Sequence, residues 1–90
     1  MPAKQSECVT IAEVKAISGD LAAMEFLARR FFEGRGVTQS FESSYYWSTI
    51  GLNKGISYLN SLNQFSLKKL STQERENTEE NLKDWFDGAS

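Results

Sequence analysis

The sequence predicts an all-α protein: antiparallel helical hairpins stacked as a short α-solenoid of about five helices. Three observations lead there. Apolar residues recur at helical spacing along most of the chain. Breakers are few, with Pro2 the only proline, and two helix-ending glycines, Gly19 and Gly55, stand 36 residues apart. A period of that length in a helical chain is the mark of a stacked helix–turn–helix array.

The elements follow in order. A first helix spans about Glu7 to Ile17, where Val9, Ala12 and Ala16, with Ile11 and Val14, make an apolar stripe. Ser18-Gly19-Asp20 ends it: glycine supplies the left-handed C-terminal residue and Asp20 can cap the next helix. The second helix runs from about Leu21 to Glu33. Ala23, Leu27 and Phe31 form its core line, joined by Met24, Phe26 and Ala28, while Glu25, Arg29 and Glu33 lie opposite at ion-pair spacing. Gly34 and Gly36 make a turn that needs positive φ. Ser40 then caps a third helix to about Leu52, whose core face is Phe41, Ser44, Tyr45, Trp47, Ser48 and Gly51. Asn53-Lys54-Gly55 stops it. A fourth helix is expected from Ile56 to Lys69, and Ser71-Thr-Gln-Glu74 forms a capping box for the last. Leu82, Trp85 and Phe86 should dock that last helix.

Composition narrows the function. Ninety residues make one domain, which buries only a little over half of the surface it exposes when unfolded. Eleven aromatics supply much of its core. Histidine is absent, which removes Ser-His-Asp and Cys-His triads, histidine metal sites and histidine acid–base catalysis together. No cofactor is expected. The net charge of −2 argues against a nucleic-acid footprint. Charge is nonetheless uneven: the stretch from Glu74 to Asp87 carries −4 and the rest of the chain +2. An acidic end on a basic body can steer a basic partner, although a solvated helix face carries the same pattern. One cysteine, no apolar leader and no membrane-length segment make the cytoplasm the expected compartment and no membrane contact the expected state. Cys8 reads as a packing residue, Trp47 and Trp85 as core, and the Gly34-x-Gly36 turn as structural, because no lysine or preceding strand makes it a phosphate loop.

The segment Gly19-Asp20, Ala23, Leu27-Ala28, Phe31, Gly34-x-Gly36-Val37, Ser40, Ser44, Trp47 and Gly55 resembles the Sel-one-like repeat, a cousin of the tetratricopeptide repeat. The interval from Leu70 to Trp85 is similar to the closing helix of such proteins. The family pattern has glycine where Ala28 stands, tyrosine at Phe31, aspartate at Ser40, alanine at Ser44, an alanine pair at Gly51-Leu52 and leucine at Asn63. Within a single domain over residues 1–90, the resemblance implies a capping helix at 7–18, a complete repeat at 19–54, and a degenerate repeat with a closing helix at 55–87.

It also implies a protein-interaction scaffold and not an enzyme. First helices of each hairpin line a concave surface in this family. Here that surface would hold Glu25, Arg29, Phe32 and Glu33, beside Ala22, from one helix. The corresponding residues of the next are Tyr58, Ser61, Phe65, Lys68 and Lys69. Tyr58 and Phe65 stand out as aromatic anchors if they face away from the core. The most specific expectation is a bacterial immunity protein or antitoxin that binds and blocks a toxin domain. An adaptor in signalling or envelope biogenesis and a carboxylate-based hydrolase are the alternatives, and pairing of two copies through an exposed end of the stack stays open.

Overall fold

The computed structural model describes residues 5–88. Those residues form five α-helices: α1 (Glu7–Ile17), α2 (Leu21–Glu33), α3 (Phe41–Asn53), α4 (Asn60–Lys68) and α5 (Thr72–Gly88). None of these helices is long and apolar enough to cross a membrane. α2 and α3 make the most extensive packed pair, and α3 is the hub, with α2, α4 and α5 all against it. Among the helices, α1 packs chiefly on α2. α5 lies on α3 and has little contact with α4, so the second hairpin is not closed as the first is.

Local chemistry sets the boundaries. Ser6, Asp20 and Ser40 cap α1, α2 and α3, each side-chain oxygen accepting from the backbone N–H three residues on. Ser71 and Glu74 complete the capping box: the Ser71 N–H donates to the Glu74 carboxylate at 2.9 Å, and the Glu74 N–H donates back to the Ser71 hydroxyl at 3.1 Å. The backbone N–H contact holds the Glu74 carboxyl below its ordinary range.

Gly36 ties two parts of the chain together. Its φ of +76° belongs to glycine, and a Cβ there would stand 2.9 Å from the Ser6 hydroxyl. Its carbonyl meanwhile accepts from the Ser6 N–H at 2.8 Å. Gly36→Ala should therefore cost about 1–3 kcal/mol, combining backbone strain with a disturbed α1 cap. Gly19→Ala, at φ +101° with nothing near the new Cβ, should cost only the backbone penalty. Urea titration of both variants checks this, and equal losses would show that the Ser6 contact contributes nothing.

The core is formed by Val9, Ala12, Ala16, Ala23, Met24, Leu27, Ala28, Val37, Trp47, Ile50 and Leu82. Five expectations need correction. Cys8 is exposed and does not serve as a packing residue. Ile11 and Val14 do not belong to the buried stripe; they are 55% and 64% exposed, because α2 covers one side of α1 and no other described helix packs extensively against it. Ile50 is buried, whereas Phe41 and Tyr45 are only partly so; the buried face of α3 is Ser44, Trp47, Ser48, Ile50 and Gly51. The fourth helix does not begin at Ile56: Ser57–Leu59 is a 3₁₀ turn with no side-chain cap, and α4 starts at Asn60. That turn lays Leu59 over Gly51, where a Cβ would come within 2.8 Å of the leucine side chain. In α5, Thr78 and Leu82 are buried and Trp85 partly so, while Phe86 faces solvent.

Polar side chains fill the closest crossings. The buried Ser44 hydroxyl donates to the Ala28 carbonyl at 2.9 Å and accepts from Ser66 at 3.1 Å. Asn63, also buried, donates to the Ser48 and Thr49 hydroxyls, each at 2.9 Å. The asparagine thus replaces an apolar contact between α3 and α4 with hydrogen bonds. Buried polar groups paired in this way carry no desolvation penalty from an unmet partner.

Candidate functional site

α2 and α4 both pack on α3, and between them lies a groove of about 430 Å³. Arg29, Phe32 and Glu33 line it from α2; Tyr58, Ser61, Leu62 and Phe65 line it from the 3₁₀ turn and α4. Six of the residues expected on the concave surface are therefore brought together. Glu25 joins them one turn along α2. Its carboxylate accepts from the Tyr58 hydroxyl and, at 3.1 Å, from Arg29 Nε. Lys69 places its ammonium 5.2 Å from the Phe65 ring centroid. Lys68 is exposed at the end of α4, outside the groove lining, and Ala22 opens instead onto the α1 side of α2.

Aromatic packing builds the floor. Phe32 meets Phe65 edge-on at 5.4 Å and Phe41 at 5.9 Å, while Phe41 and Phe65 stand 6.1 Å apart. These geometries are the attractive ones for aromatic quadrupoles. Phe65 nevertheless remains 46% exposed and Tyr58 64%. Leu62 and Phe41 were not among the expected site residues. Leu62 carried a signal, since it lies between Tyr58 and Phe65 on their helical line, but Phe41 reads from sequence as core.

The electrostatics are local. The Tyr58 hydrogen bond, helped by Arg29 and opposed by desolvation, holds the Glu25 carboxyl below its ordinary range. The same bond stabilises the neutral phenol and raises Tyr58. Arg29 also lies over the Tyr58 ring, its guanidinium carbon 5.9 Å from the centroid. Because the folded pKa of Glu25 is depressed, its contribution to stability is present above the unfolded carboxylate value and lost as pH falls through the folded one. Tyr58→Phe should raise the Glu25 pKa toward normal without erasing the Arg29 effect. Side-chain carboxyl NMR titration reads this directly. The stability difference between the two proteins should vanish at acid pH; a constant gap across the titration would assign the effect to packing.

A second, polar cleft of about 610 Å³ lies between α3 and α5, lined by Ser40, Glu42, Ser43, Tyr46, Thr78, Asn81, Asp84 and Trp85. Burial, then the neighbouring Glu74 carboxylate, raises the Glu42 carboxyl. Burial and Asp84 raise the Tyr46 phenol. The Trp85 indole N–H is buried with no hydrogen-bond partner among the described residues.

Comparison of the chain with protein-family models, with curated proteins and with solved structures finds no match.

Proposed function

We propose that this chain is a non-enzymatic protein-interaction scaffold of the Sel-one-like kind, and that the α2–α4 groove holds its partner. The observation that carries the reading is the pair of exposed aromatics, Tyr58 and Phe65, set on ordered helical structure beside charged rims. An exposed ring fixed in place loses little conformational freedom on binding, which is why such rings act as anchors in protein interfaces. Glu25 gives the opposite signal for chemistry. A carboxylate kept ionised by Tyr58 and Arg29 is poorly matched to proton transfer near neutrality.

The specific form of the proposal is a bacterial cytoplasmic immunity protein or antitoxin that covers the active cleft of a toxin domain. The charge of −4 over the Glu74–Asp87 stretch supports a basic partner, whose approach it would accelerate. The test is co-purification from the native strain followed by assay of the captured protein's toxic activity with and without this chain. Binding should neutralise the activity, and Tyr58→Ala with Phe65→Ala should weaken it by roughly 30-fold or more, the loss of about 2 kcal/mol typical of an anchor. A neutralised toxin that binds the double variant at full affinity would displace the groove from this role. Absence of any toxic partner would sink the immunity reading.

A further inference from the structure

We propose that α1 is a dimer interface, pairing antiparallel with α1 of a second copy of this chain about a two-fold axis at Ile11. The helix is apolar on two sides. Val9, Ala12 and Ala16 are buried against α2. Ile11 and Val14 sit roughly 130° and 170° around the helix from the middle of that line, at about 100° per residue. They are exposed, as is Cys8 on the same side. An apolar strip left exposed opposite a helix's packed side offers surface that a partner can cover. Ile17 and Leu21 extend the exposed apolar surface at the same end of the molecule. A shallow groove of about 320 Å³, lined by Cys8, Ile11, Lys15 and Phe26 among others, continues it toward α2.

The charge pattern selects the occupant. Glu7 and Lys15 flank Ile11 at four residues on either side, and Cys8 and Val14 flank it at three. Antiparallel pairing about Ile11 therefore sets each Glu7 level with Lys15 of the other copy, twice over, and each Cys8 level with Val14. Parallel pairing would oppose Glu7 to Glu7 and Lys15 to Lys15. An interface built on a two-fold axis must be self-complementary in this way. Both charged residues are exposed, and neither takes part in an ion pair among the described residues. The face shares no lining residue with the α2–α4 groove, so dimerisation leaves the proposed partner site open and stands or falls apart from it.

Sedimentation equilibrium of the full chain tests the pairing. The native protein should show a reversible monomer–dimer equilibrium. Ile11→Glu should abolish it with the helical circular dichroism unchanged, since the residue is exposed. Glu7→Lys reverses both cross-pairs at once and should weaken association at least tenfold; adding Lys15→Glu should restore it. With Cys8→Ser as background, Ile11→Cys should form an inter-chain disulfide under mild oxidation. A monomer at every attainable concentration overturns the proposal, leaving the face to a different protein. So does a dimer indifferent to Ile11→Glu, or a double charge reversal no better than the single one.

Discussion

Trp47→Ala should remove about 3–5 kcal/mol of folding stability, the usual cost of deleting a large buried aromatic. A domain of this size has about 5–13 kcal/mol in total, so the variant would stand close to the folding limit. The reason lies in what Trp47 holds. Its ring is buried and meets Trp85 at 5.8 Å and Tyr46 at 5.0 Å, both edge-on, with Tyr46 and Trp85 6.5 Å apart. This three-ring cluster lies where α5 joins α3, and α5 adds only Thr78 and Leu82 to the buried set. The remainder of α5 is charged and solvated, so its attachment depends on few contacts. The melting temperature should fall by roughly 15–30 °C, and the α5 amides should lose hydrogen-exchange protection before those of α2. Trp47→Phe, which keeps an aromatic body in the site, should lose much less. A drop of only a few degrees for Trp47→Ala would mean that Leu82 and Thr78 hold α5 unaided.

What could be read from the sequence was set over short distances. Caps at Asp20, Ser40 and Ser71 act on backbone three residues away, and the left-handed turns at Gly19, Gly34, Gly36 and Gly55 follow from one residue each. The Glu25–Arg29 pair is fixed by helical spacing alone and was legible for that reason. Ile11 and Val14 were misplaced because periodicity shows that a helix side is apolar, not whether another element covers it. Start of the fourth helix failed differently: Ile56 has a good apolar position, but its backbone N–H is taken by the Gly51 carbonyl at 2.9 Å, and the chain turns before it winds. Within the groove, the residues could be assigned to a common face only by a 36-residue shift. The Tyr58–Glu25 hydrogen bond and the Phe41 contribution depend on how far α4 slides along α2 and α3, a register no local pattern encodes.

That register is held by the buried serines, and Ser44→Leu should show it by costing about 2–4 kcal/mol. Ser44 has no exposed surface, so added volume forces neighbours off their rotamers or the helices apart, typically about 1–3 kcal/mol. The substitution also strips the buried Ser66 hydroxyl of its acceptor and the Ala28 carbonyl of its second donor. Ser44→Ala is the control: it removes the same hydrogen bonds without adding volume, and should cost about 1 kcal/mol. The difference between the two variants in urea denaturation measures how tightly α2, α3 and α4 are pressed together, and a gap below about 0.5 kcal/mol would show a slack crossing. A functional consequence follows from the same geometry. Phe32 and Phe65 meet at 5.4 Å across the groove, one on α2 and the other on α4. Spreading those helices separates the rings before it unfolds the chain, so Ser44→Leu should impair partner binding at temperatures where the protein is still folded, whereas Ser44→Ala should bind normally.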